Sequence, residues 1–113
     1  MNKKINILNI EIYLYTLFII ASLINIDGNE QAKTNIKEGK DLDQQLRNQY
    51  ILSSYLILSV FVIFMERNYE NYTKLSINDK EYEFSKIRLL GSMLIVTGQI
   101  LIIYYLYNTT NFK

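Results

Sequence analysis

The stretch Ile87–Tyr107 reads IRLLGSMLIVTGQILIIYYLY, and after Arg88 no charged residue follows until Lys113. Apolar residues fall on every side of a helix drawn through it, which does not suit a soluble amphipathic helix. Its length meets the roughly 20 residues that an α-helix needs to cross a bilayer. Two shorter stretches of the same kind lie upstream. The expected fold is therefore all-α: an integral membrane protein with three transmembrane helices in a single membrane domain, residues 1–113. The spans are read at about 6–26, 49–66 and 87–107, with polar connectors 27–48 and 67–86. The second and third helices are expected to extend beyond the bilayer.

Composition sets bounds on function. Half of the residues are hydrophobic, yet the mean hydropathy is only +0.03, so apolar blocks alternate with polar connectors. A net charge of +1 offers no basic field for nucleic acid. The chain has no Cys and no His, which removes disulfides, thiolate chemistry, the commonest metal ligand and the usual general base. It has no Pro either, so no helix is expected to carry a proline kink.

Lys3 and Lys4 precede a long apolar stretch, so a signal peptide competes with a first membrane span. The uncharged run Ile12–Ile26 continues an apolar pattern that begins at Ile5, and bulky residues flank Ala21-Ser22. Both features favour an uncleaved span. Asn6, Asn9, Tyr13 and Thr16 trace one polar stripe along it. Glu11 lies about 9 Å into a helix that starts near Ile5, a depth at which a carboxylate reaches the interface.

Asp27-Gly28-Asn29 is expected to end this first helix. Gly39 divides the connector that follows, and Asp41 is read as the cap of a helix on which Leu42, Leu46 and Tyr50 share a face. This helix carries the second span, Tyr50–Met65, and continues through MERNYENYTKL, where Glu70 and Lys74 have the spacing of an i,i+4 ion pair. Asn78-Asp79 marks a turn, and Asp79 and Glu81 favour the start of a third helix. Alternation around the same turn is also a hairpin signature, but a lone hairpin is marginally stable and helix–turn–helix is preferred.

Seven basic residues fall on the side of the N-terminus and the second connector, against five on the other. The positive-inside rule then places the N-terminus inside and the C-terminus outside, in the cell membrane. Tyr50, Tyr104, Tyr105 and Tyr107 would form an outer aromatic belt.

In the third span Gly91-Ser92 and Gly98-Gln99 repeat at seven residues, with Ile95 and Ile102 between. Gly91, Ser92, Ile95, Gly98, Gln99 and Ile102 are the candidate packing residues. Glycines permit close backbone approach, and Ser or Gln can bond a neighbouring helix. Ser53, Ser54, Ser59, Thr16, Ser22 and Asn25 are the possible partners. A pore lined by Gln99 and Ser92 is the rival reading of the same stripe.

No span holds a charge at its centre, which argues against a proton relay, voltage sensor or coupled pump. Asp41-Leu42-Asp43 is better read as a helix cap than as a metal site. Asn71-Tyr72-Thr73 and Asn108-Thr109-Thr110 match a glycosylation pattern that an Asn-rich chain produces by chance. No catalytic, cofactor or metal site is expected. The expected role is non-enzymatic, acting through helix–helix contacts as an accessory subunit or homo-oligomer. The alternative is a small pore-forming or holin-like protein, although the NTTNFK segment lacks the charged tail such proteins carry. The expected partners are the lipid bilayer and a membrane protein or a second copy, with no nucleic acid.

Overall fold

The computed structural model describes residues 2–41 and 43–109, which form α1 (Asn2–Lys37), α2 (Gln44–Thr73) and α3 (Tyr82–Asn108). At 1.5 Å per residue, the 36 residues of α1 span about 54 Å, most of the molecule's 61 Å length. The helices run up, down and up. α1 and α3 both pack on α2, and among the described residues their Cα atoms do not come within 8 Å of one another. The result is a slab of 61 × 28 × 16 Å rather than a closed bundle.

Each helix contains an 18-residue window long and apolar enough to cross a membrane. The buried share of that window is 28% in α2 against 11% in α1 and 17% in α3, which marks α2 as the centre. Much apolar surface stays uncovered, Leu94 being 73% exposed and Ile12 63%.

The expected break at Asp27-Gly28-Asn29 does not occur, and α1 runs through it to Lys37. The reason is tertiary. Tyr50 of α2 lies against Gly28, where an added Cβ would stand 2.9 Å from the ring. Its hydroxyl donates to Asn29 Oδ1 at 2.7 Å, and Asp27 Oδ2 accepts from Gln31 and Gln49 at 2.7 and 2.9 Å. Each turn-favouring residue thus has a partner that exists only in the helical arrangement. The helix ends instead at Gly39, whose φ of +71° only glycine adopts cheaply. Gly39 N–H donates to Ile36 C=O and Lys40 N–H to Asn35 C=O, which closes the last turn with paired bonds.

The cap of α2 is Asp43, not Asp41: Asp43 Oδ1 accepts from Leu46 N–H at 2.8 Å. Leu46 and Tyr50 share a buried face as expected, whereas Leu42 lies outside the described residues. Tyr50 is therefore part of the α1–α2 seam and not of an outer belt, while Tyr104, Tyr105 and Tyr107 remain exposed.

α2 and α3 extend past their apolar windows, and the segment between them is a turn with no strand among the described residues. Asp79 accepts from Ser76 N–H at 3.3 Å, and the Tyr72 and Tyr82 hydroxyls meet at 2.8 Å. Glu81 stands at the N-cap of α3 without a side-chain capping bond. The expected Glu70–Lys74 ion pair is absent among the described residues. Lys74 closes α2 through its backbone N–H to Glu70 C=O instead.

Along α1 the buried residues are Leu14, Ala21, Gly28 and Ala32. Three of them recur at seven residues, a repeat that keeps one edge of a long helix against its neighbour. The small residues face α2's bulk, with Tyr15 stacked near Phe64 and Phe18 near Phe61 at 5.5 and 6.0 Å. The polar stripe of Asn6, Asn9, Tyr13 and Thr16 turns away, exposed.

Candidate functional site

Because the backbones of α1 and α3 stay apart, a groove runs along one face of α2 between them. Tyr50, Ser54, Phe61, Phe64 and Asn68 recur at three, four or seven residues and form its floor. Two hollows lie along it. One, of about 440 Å³, is lined by Glu11, Tyr15, Phe61, Phe64, Asn68, Arg88, Gly91, Ser92 and Ile95. The other, of about 460 Å³, lies between Asn25, Asn29, Tyr50, Ser54, Ile102, Tyr105 and Leu106.

The charged end of the groove is built by all three helices. Glu11 Oε1 pairs with Arg67 Nη1 at 3.2 Å, their side chains being 24% and 18% exposed. Arg67 also reaches the Ile7 carbonyl at 3.5 Å. A half-buried pair of this kind offsets its desolvation only while both partners remain, so it ties α1 to α2 at this level. Asn68, buried at 7% exposure, donates to Ser92 Oγ, and Ser92 donates on to the Arg88 carbonyl at 3.0 Å. Arg88 lines this hollow and the adjoining smaller one beside Arg67 and Asn71. Its guanidinium has no ion pair or hydrogen bond among the described residues.

The opposite end is knitted closed along α1. Gln49 Nε2 donates to Ile24 C=O at 3.0 Å and to Asp27 at 2.9 Å, and Ser53 donates to Asn25 at 2.5 Å. Arg47 donates to Leu106 C=O at 2.6 Å, placing a cation on the carbonyl-rich end of α3.

The six candidate packing residues divide. Gln99 is buried and donates to Ser54 C=O at 3.0 Å, and Ser92 accepts from Asn68, so these two do hold α3 to α2. Val96, Ile103 and Leu106 complete the buried face of α3. Gly91 and Gly98 make no tight contact within the chain: an added Cβ at either would meet nothing within 4 Å. Ile95 and Ile102 are half-exposed on the groove wall. The glycine that does carry a close approach is Gly28. Of the possible partners, Ser53 and Asn25 bond one another and Ser54 accepts from Gln99, whereas Thr16, Ser22 and Ser59 bond their own i−4 carbonyls.

Sequence reasoning placed Glu11 at an interface but did not find its partner. A usable signal was present: Glu11 and Arg88 each border an uncharged run and Arg67 lies one residue beyond another, all at the same end of an up–down–up arrangement.

Comparison with known proteins returned no matching family model, no matching curated protein and no matching solved structure. The class that sequence and fold define is an all-α chain with three helices long and apolar enough to span a membrane. Its functional reading rests on its own geometry.

Proposed function

We propose that the chain is a non-enzymatic integral membrane protein that crosses the bilayer three times and associates with further copies through the outer edge of α3. The observation that carries this reading is a stripe of Ile87, Gly91, Leu94, Gly98, Leu101 and Tyr105, spaced alternately at four and three residues. Ile87, Leu94 and Leu101 are 62%, 73% and 63% exposed, and an added Cβ at either glycine would meet nothing within 4 Å. A heptad-like seam with open glycines suits a second helix, since lipid does not reward close backbone approach as a matching helix does. The positive-inside count supports an orientation with Glu11, Arg67 and Arg88 at the inner boundary. The pore reading has less support: Phe61, Phe64 and Ile95 line the groove, and Gln99, on which that reading relied, already donates to Ser54 C=O.

The test is oxidative cross-linking of Leu94→Cys in native membranes, with carbonate extraction of the same sample. Disulfide-linked dimers in the carbonate-resistant pellet are expected, and Gly98→Leu should reduce them. Monomer alone in the pellet would overturn the association. Release from the pellet would overturn the membrane reading. In the same membranes Lys37→Cys should react with an impermeant thiol reagent from outside and Lys80→Cys should not.

A further inference from the structure

The charged hollow has features that helix association does not use. Glu11 and Arg88 stand on opposite walls of one cavity, the first on α1 and the second on α3, with Asn68 between them on the floor. Glu11 meets Arg67 through one carboxylate oxygen, and Arg88 has no partner among the described residues. Next to these polar groups the lining changes to Tyr15, Phe61, Phe64 and Ile95. The change coincides with the sequence boundary: Glu11 is the last charge before Ile12–Ile26, and Arg88 the last before Lys113. An occupant must therefore be amphiphilic, with its polar part at the level where the apolar helices begin.

Charge narrows the class further. Arg88 offers a planar fork of donors suited to phosphate oxygens. Glu11, an acceptor on the facing wall, disfavours a purely anionic headgroup and favours one that also carries N–H donors. We propose that this hollow binds a bilayer phospholipid whose headgroup combines a phosphate with a primary ammonium, as in phosphatidylethanolamine. The phosphate sits on Arg88 and Asn68, the ammonium on Glu11, and an acyl chain lies along Tyr15, Phe61, Phe64 and Ile95. The site rests on the membrane reading and shares only Gly91 with the α3 stripe.

The experiment uses the full chain purified in mild detergent and offered equal amounts of phosphatidylethanolamine, phosphatidylglycerol and phosphatidylcholine, with retained lipid read by native mass spectrometry. Preferential retention of phosphatidylethanolamine is expected. Arg88→Gln should lower retention about tenfold, the scale of one charge-assisted hydrogen bond. Glu11→Gln should remove the preference for phosphatidylethanolamine over phosphatidylglycerol. Ile95→Trp, at a half-exposed position, should block retention by filling the hollow while leaving Glu11 and Arg88 in place. Lys86→Gln, at the same end but outside the hollow, should change nothing. Equal retention of all three lipids, a preference for phosphatidylglycerol or phosphatidylcholine, or an unaltered Arg88→Gln would each overturn the proposal. Carbonate extraction separates the two failures: a pelleted protein without lipid selectivity loses only the site, whereas a released protein loses the membrane reading as well.

Discussion

The two seams that α2 makes are built on opposite terms. Against α1, bulky residues of α2 meet small ones: Tyr50 presses on Gly28, and Ala21 and Ala32 are buried in the same line. Side chains then bond side chains across the gap, as in Ser53–Asn25, Tyr50–Asn29 and Gln49–Asp27. Against α3, much of the polar work is done by long side chains reaching backbone carbonyls, Gln99 to Ser54 and Arg47 to Leu106. There the glycines stand aside, uncovered. The same residue type thus serves two ends. At Gly28 the missing side chain makes room within the chain, and at Gly91 and Gly98 it leaves a surface open.

The hardest blow to this contrast should be Gly28→Val. Its Cβ alone would lie 2.9 Å from the Tyr50 ring, and Tyr50 is held in a cluster with Ala32, Leu46, Ile51 and Leu106. Overpacking of this kind costs about 1–3 kcal/mol, to be read as a lowered thermal midpoint in detergent. Tyr50→Ala should partly rescue the variant by vacating the site. If Gly28→Val melts with the wild type, the seam is looser than described.

Next comes Gln99→Leu, which removes the buried amide from Ser54 C=O. The loss should be about 0.6–2 kcal/mol, the range for interhelical hydrogen bonds in membranes, measured by the same melt. A neutral result would leave apolar packing alone to hold α3.

Gly98→Leu sharpens the comparison from the other side. With nothing within 4 Å of its Cβ, the monomer's midpoint should move by less than about 0.5 kcal/mol, the usual bound for surface changes. Cross-linking through Leu94→Cys should nevertheless fall. Ile100→Leu, on a different face of α3, should change neither measurement. A Gly98→Leu monomer that unfolds would show that α3 packs inward on its glycines after all.

The smallest effect is expected at the turn joining α2 and α3. The Tyr82 phenol is raised above its ordinary value, first by its hydrogen bond with Tyr72 and then by burial and nearby charge. A raised pKa means the contact contributes fully below the ordinary tyrosine range and is lost as pH climbs through the elevated value. Ultraviolet titration of the phenolate absorbance should show a late-ionising fraction, and Tyr72→Phe should move one tyrosine of it to lower pH. A titration unchanged by Tyr72→Phe would dissociate the shift from this pair.

How much of this was readable in advance depends on the range over which each feature is decided. The three apolar helices and the turn at Asn78-Asp79 follow from hydrophobic run length and local backbone preference, which neighbouring residues express by themselves. Gln99 was legible for a related reason, since an amide inside an apolar run must find a partner. The Asp27-Gly28-Asn29 segment was misread because its turn preference is also local. Tyr50 and Gln49, roughly 20 residues away in sequence, overrule it by occupying those polar groups in helical form. The glycines could not be assigned to a seam within the chain, because a helical stripe reveals which residues align but not which stripe meets a neighbour. That choice depends on the rotation of each helix about its axis, which the opposing side chains set. The groove is a tertiary fact of the same kind. Only the placement of α1 and α3 on α2 with their backbones apart brings Glu11, Asn68 and Arg88 to one cavity.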